Sequence, residues 1–207
     1  MKNKIIAHRG IWNNNVSGNS YEALTKALDS GYGIEFDIRD LDGELVVAHD
    51  PPRTKYEPLL LEKLFEYYIQ NKCSNILAIN IKSDEIHEVL KLLIDKYEIK
   101  NYFIFDLSIP HLIKANSIGL SCLRRESEYE EPNTKIESIT KGRWIDYFSK
   151  SHMNKIKVSS NKEVFNIVVS PELHGFTCTH IENKIHLALV NNENYWVCTD
   201  NPERYNR

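Results

Sequence analysis

Short runs of β-branched and aromatic residues alternate along the chain with amphipathic segments, the rhythm of βα units wrapped around a parallel sheet. The runs fall at 4–7, 33–38, 76–81, 102–105, 120–124, 144–148, 165–169 and 195–198. Eight strands of this kind are what a closed parallel barrel requires. Between them, 20–30, 59–70 and 84–97 carry apolar residues at helical spacing, and Ser83 and Asp84 are suited to capping the third. Later crossovers are weaker: 109–117 is short, 136–142 shorter, and 150–163 is polar and reads mostly as loop. Asp40-Leu41-Asp42-Gly43-Glu44 reads as a hairpin turn, with 45–48 returning beside the second strand. The expected architecture is a TIM-type (β/α)8 barrel of the α/β class, with short or irregular helices in its second half. No repeat, linker or low-complexity stretch argues for more than one domain over 1–207.

Composition adds constraints. With 207 residues, 42% hydrophobic and 27% charged, the chain can bury one full core without disulfides. A net charge of -3, with lysines and acids interspersed, leaves no electrostatic footprint for nucleic acid. Cys73, Cys122, Cys178 and Cys198 are far apart and lack CxxC spacing, so they read as free thiols of the core in a reducing compartment. Only three consecutive apolar residues, Ile5-Ile6-Ala7, precede His8, too few for a signal-peptide apolar region, and no window reaches the length of a membrane span. The expected location is cytoplasmic.

In a parallel barrel the loops after the strands build the active face, so polar residues at strand ends carry the chemistry. His8 and Arg9 end the first strand, Glu35 and Asp37 lie near the end of the second, His49-Asp50 closes the hairpin, and Lys82 ends the third. Glu35 and Asp37 are two apart, so an extended strand points both carboxylates to one side, where they can chelate a hard divalent cation, Mg²⁺ or Ca²⁺. Two histidines on separate segments suit phosphodiester cleavage: one imidazole takes a proton from the attacking oxygen and the other protonates the leaving oxygen. Arg9 as a bidentate fork and Lys82 as a point charge would hold the phosphate.

These residues fall within stretches that together resemble one family. Ile6-Ala7-His8-Arg9-Gly10, Asn19-Ser20-Tyr21-Glu22-Ala23, Gly33-Ile34-Glu35-Phe36-Asp37 and Val47-Ala48-His49-Asp50-Pro51 occur in the order and approximate spacing of the glycerophosphodiester phosphodiesterases. The resemblance is clear over residues 5–52. It continues more faintly in Ile79-Asn80-Ile81-Lys82 and in Cys198-Thr199-Asp200-Asn201-Pro202. It implies a TIM-type barrel, His8 and His49 as the acid–base pair, Glu35 and Asp37 as metal ligands, and Arg9 and Lys82 as phosphate contacts. It further implies attack by the glycerol hydroxyl next to the phosphate, giving a cyclic phosphate that water opens.

Two features depart from the family pattern. Asn80 stands where the family places a metal-binding glutamate, which leaves a carbonyl ligand but removes a charge. Glu172 after the seventh strand, and Glu128 and Asp146 after the fifth and sixth, are the acids that could replace it. The segment from His49 to Asn80 is also shorter than in the family, which points to a more open site for a small-molecule or polymer-derived diester.

Each residue also has a structural reading. Glu35 and Asp37 could form a salt-bridged strand edge, and Lys82 could cap a strand beside Asp84. Arg125, Glu128, Glu172 and His174 read equally well as loop charges, and His87, His180 and His186 as surface or packing residues. Trp12 lies close enough to His8 to line a pocket. Three functions stay open: a metal-dependent phosphodiesterase, a phospholipase on lipid head groups, and a phosphate-ligand binder with a decayed metal site. The phospholipase would need an exposed apolar rim, and no loop in the sequence announces one.

Overall fold

The computed structural model describes residues 2–52, 58–131, 133–153 and 164–206. The chain runs through β1 (Ile5–His8), α1 (Tyr21–Asp29), β2 (Gly33–Leu41), β3 (Glu44–Val47), β4 (Leu59–Leu60), α2 (Leu61–Gln70), β5 (Leu77–Ile81), α3 (His87–Lys96) and β6 (Tyr102–Phe105). It continues through α4 (Ile109–Ser117), β7 (Leu123–Glu126), α5 (Thr134–Glu137), β8 (Gly142–Ile145), α6 (Lys150–Met153), β9 (Phe165–Val169), α7 (Thr179–Asn191), β10 (Tyr195–Thr199) and α8 (Pro202–Tyr205). Among the described residues, β1, β2, β5, β6, β7, β8, β9 and β10 are the strands of the expected barrel, paired in parallel in that order and back to β1. At the β6/β7 seam a single parallel bridge, Ile104 to Cys122, completes the ring. β3 and β4 extend the β2 edge antiparallel.

Alternation along the strands separates two environments. Ile34, Phe36 and Ile38 of β2 and Leu77, Ile79 and Ile81 of β5 pack outward with Leu24, Leu64 and Leu90 of the helices. The opposite faces turn inward, where Ile6, Ala78, Phe103, Phe105, Trp144, Ile167, Val169 and Cys198 fill the barrel. Around the other half, Ile5, Ile145, Val168 and Val197 pack on Ile181, Ile185 and Leu189 of α7. The apolar positions of α2, Leu61, Leu64, Phe65 and Tyr68, recur at three and four residues and are all buried.

Several local expectations hold in detail. Ser20 caps α1 by accepting the Ala23 N–H at 3.2 Å. The hairpin turns at Asp42 and Gly43, both at positive φ (50° and 90°), the geometry of a two-residue type I′ connection. Others are corrected. The third helix begins at His87, after Glu85 takes a positive φ of 65°, and neither Ser83 nor Asp84 caps it. The fifth strand lies later than expected and the sixth earlier, because Cys122 pairs only through its bridge to β6 while Gly142 opposes Leu123. Of the polar stretch 150–163, Lys150–Met153 forms the short α6 and 154–163 lie outside the described residues. Cys122 and Cys198 are buried, whereas Cys73 and Cys178 are half-buried; all four thiols are free. Among the described residues no helix is long and apolar enough to cross a membrane.

Candidate active site

Strand register assembles the polar cluster. His8 pairs with Glu35 across β1 and β2, Glu35 with Ala78, and Asp37 with Asn80 across β2 and β5. With alternation fixed by the outward isoleucines and phenylalanine, His8, Glu35, Asp37 and Asn80 converge inside the strand-C-terminal mouth. Phe105, level with Asn80, stacks on Trp144 at 3.8 Å between ring centroids inside the barrel.

The turn after β1 bends sharply to present its residues. Arg9 has φ 57° and Gly10 φ 84°. In this turn the Arg9 N–H donates to the Glu35 carbonyl at 2.9 Å and lies 3.3 Å from Glu35 Oε2. A Cβ on Gly10 would stand 2.4 Å from the Ala23 carbonyl carbon, backbone that cannot yield. We expect Gly10→Ala to lower unfolding free energy by about 2–4 kcal/mol in urea titration, from left-handed strain and overlap together; an unchanged midpoint would refute this.

His8 is held on both sides. Its Nδ1 lies 2.7 Å from Asp200 Oδ1, and its Nε2 lies 3.8 Å from Glu35 Oε2. Burial opposes a charge on the ring, but the Asp200 hydrogen bond and the charges of Glu35 and Asp200 outweigh it, so the His8 pKa is raised. Glu35 is 1% exposed, and its carboxyl is pushed up to about 7 by burial, against the lowering influence of His8 and with a raising one from Asp37. Asn80 Nδ2 donates to Glu35 Oε1 at 3.3 Å. Asp37, also 1% exposed, lies between two cations, Arg9 Nε at 3.2 Å and Lys82 Nζ at 3.3 Å. The Arg9 contact is an ion pair without hydrogen-bond alignment. The alternating charges continue from Lys82 to Asp106 at 4.0 Å and from Asp106 to Arg125 at 3.4 Å.

The donor set suits a hard divalent cation. Asn80 Oδ1 is buried and accepts no hydrogen bond among the described residues, a costly state for a carbonyl oxygen unless a ligand completes it. Beside it Glu35 is a buried acid whose carboxyl burial pushes up to about 7. Glu35, Asp37 and Asn80 would thus offer two carboxylates and a carbonyl.

The structure therefore brings His8, Arg9, Glu35, Asp37, Asn80 and Lys82 together. His49 follows Ala48, whose N–H donates to the Asp37 carbonyl at 3.0 Å, so it leaves the sheet at the upper end of β2. Its ring is 45% exposed and bonds Asp50 Oδ1 at 2.9 Å, and no contact among the described residues joins it to His8. The acids suggested to replace the missing glutamate have other partners. Glu172 accepts from Ser170 and Thr199 and lies 3.8 Å from Arg204. Glu128 accepts the Phe148 N–H at 3.0 Å, and Asp146 bonds His174 at 2.5 Å.

Three site residues carried no assigned role in the sequence reading. Asn19, at φ 62°, donates its Nδ2 to Asp37 Oδ2 at 2.8 Å and orients that carboxylate. Asp200 orients His8. Both lie within the quoted motifs, but only the fold shows what they touch. Asp106, directly after β6, would have been found by extending the strand-end survey to the fourth strand.

The expectation of a mouth without exposed aromatic loops is corrected. Trp12, Tyr129 and Phe148, on loops after β1, β7 and β8, are exposed by 43%, 80% and 46%. Trp12 also donates its indole N–H to the His8 carbonyl at 3.0 Å, which fixes the ring beside the site.

No protein-family model and no curated protein matches the sequence. Solved structures do match. A glycerophosphodiester phosphodiesterase from Parabacteroides distasonis superposes with a TM-score of 0.73 at 19% identity, over 98% of this chain and 94% of that one. Another from Agrobacterium tumefaciens gives 0.69 at 17% identity, over 98% of each. An Oleispira antarctica phosphodiesterase, solved with the product sn-glycerol-3-phosphate, gives 0.67 at 15% identity over 98% and 95%. Likeness over nearly whole chains at such low identity is a statement about architecture: this chain has the TIM-type barrel fold of the glycerophosphodiester phosphodiesterases, the family its motifs resemble.

Proposed function

We propose that the protein is a metal-assisted phosphodiesterase acting on glycerophosphodiester-like substrates, with His8 and His49 as the proton-transfer pair. The observation that carries this reading is the setting of His8: Asp200 at 2.7 Å on one nitrogen, buried Glu35 at 3.8 Å from the other, and the unpartnered Asn80 carbonyl beside Glu35. The shared barrel and the product held by the Oleispira relative support the substrate class.

His8, whose pKa the Asp200 hydrogen bond and the charges of Glu35 and Asp200 raise against burial, takes the role of the acid that gives its proton to the leaving alcohol. Asp200 keeps the ring oriented and stabilises its charge. His49, in contact with solvent, takes the proton of the glycerol hydroxyl as that oxygen bonds phosphorus and the bond to the leaving alcohol breaks. Water then opens the cyclic phosphate by the reverse proton movements. Arg9 and Lys82, both partly exposed, turn from Asp37 toward the phosphate oxygens. When bound, Mg²⁺ or Ca²⁺ on Glu35, Asp37 and Asn80 would supply the positive charge that offsets the phosphate.

A second reading, phospholipase action on lipid head groups, gains from the exposed Trp12, Tyr129 and Phe148 around the mouth. One assay separates the two: product release from glycerophosphodiesters, an aryl phosphodiester and phospholipid vesicles, with Mg²⁺, Ca²⁺ or chelator. Soluble diesters should turn over with a cation, and chelation should reduce the rate by about 100-fold or more. Turnover confined to vesicles would select the second reading. Hydrolysis indifferent to chelator would defeat the metal assignment, and no turnover at all would leave a binding protein.

A further inference from the structure

A second polar cluster lies apart from His8 and Glu35, behind the loops that follow β5 and β6. One ligand atom each from Glu85, His87 and His111 lies within 4.8 Å of the others. His87 occupies the inward stripe of α3 with Leu90 and Ile94, a place where the helical pattern calls for an apolar residue, and it is 2% exposed. Its Nε2 is buried and without a hydrogen-bond partner among the described residues, as is His111 Nδ1. Two unsatisfied imidazole nitrogens in one small space are a costly arrangement that packing alone does not explain. The rings face each other at 5.6 Å between centroids. Carboxylates complete the set, with Glu85 Oε1 at 3.8 Å and Asp84 Oδ1 at 3.7 Å from His111 Nε2. Glu85 is brought there by its left-handed φ of 65°.

We propose that Glu85, His87 and His111 form a second metal site, selective for a borderline transition ion of the Zn²⁺ type, distinct from the hard-cation site at Glu35. Two imidazoles and a carboxylate are a donor set that favours Zn²⁺ over Mg²⁺ or Ca²⁺. Lys114 Nζ pairs with Glu85 Oε2 at 3.3 Å and leaves Oε1, the oxygen nearer His111, to face the ion. Because Glu85 closely follows Lys82 and His111 lies on the helix that follows Asp106, the ion would pin the two loops whose residues join in the ion-pair chain of the mouth.

The test is Zn²⁺ binding to the full chain in excess Mg²⁺, by equilibrium dialysis with metal analysis and by thermal unfolding, comparing wild type with His111→Gln, Glu85→Gln and Glu35→Gln. Wild type should bind one more Zn²⁺ than His111→Gln, and saturating Zn²⁺ should raise its Tm by about 5 °C. Glu85→Gln should weaken that equivalent by about 10-fold or more, and Glu35→Gln should retain it. His111→Gln and Glu85→Gln change partly exposed groups, so circular dichroism can confirm that each is folded. Equal Zn²⁺ stoichiometry in wild type and His111→Gln would overturn the proposal, as would loss of the equivalent in Glu35→Gln alone.

Discussion

Alanine in place of His8 should lower kcat for diester hydrolysis by about 10³-fold with little change in KM, because the loss falls on proton transfer to the leaving oxygen. The refined companion is Asp200→Asn. The asparagine retains much of the shape but removes the charge that, with the hydrogen bond, raises the His8 pKa. An acid must be protonated to act, so activity declines as pH rises past its pKa. Removing the Asp200 charge lowers that pKa and should move the alkaline limb of the kcat profile to lower pH. A limb that stays in place in Asp200→Asn while His8→Ala is inactive would show that another group donates the proton. A fully active His8→Ala would end the two-histidine mechanism.

Glu35→Gln carries the other large effect, with opposite consequences for function and stability. Glutamine keeps a carbonyl oxygen but no charge, so cation-dependent turnover should fall by about 100-fold or more. In chelator the same change should stabilise the protein at pH 8. The folded-state pKa of Glu35 is raised to about 7 from an ordinary 4.5, chiefly by burial. Between those values the folded chain holds a proton that the unfolded chain has released, so stability falls as pH rises through this window. Above it the buried carboxylate costs about 1–3 kcal/mol. Urea unfolding of the metal-free protein at pH 5 and pH 8 should show a larger loss in wild type than in Glu35→Gln, where the raised pKa of His8 leaves a smaller loss of the same sign. Bound Mg²⁺ or Ca²⁺ should abolish the difference by satisfying the charge. Parallel pH dependence in the two proteins would place the titrating group elsewhere.

Read from β2, the design of the site is an economy of alternation. Ile34, Phe36 and Ile38 tie the strand to the helices, and that fixes Glu35 and Asp37 inward, where both are almost fully buried. The burial that makes Glu35 reluctant to ionise is what makes it a strong demand for a cation.

How far sequence reasoning reaches follows from the range of the interactions involved. The barrel strands, helices α1 and α2 and the hairpin turn at Asp42-Gly43 were legible because each is set by local periodicity or turn chemistry, whereas Leu59 and Leu60, expected in the second helix, pair with β3 as a strand. The carboxylate pair, His8, Arg9 and Lys82 were legible because a strand end defines where they stand. Boundaries of the fifth and sixth strands were not, since Cys122 and Gly142 take their states from partners on β6 and β7. Nor was the role of Asp200, 192 residues from the ring it orients, or the facing of His87 and His111 across two helices. Alternating βα units with acids and histidines at the strand ends were written into the order of residues, because propensity and two-residue alternation act between neighbours. Which acid holds His8, which carbonyl is left unpartnered and where a second pair of imidazoles meets follow from closing the barrel, which brings those distant groups within a few ångströms.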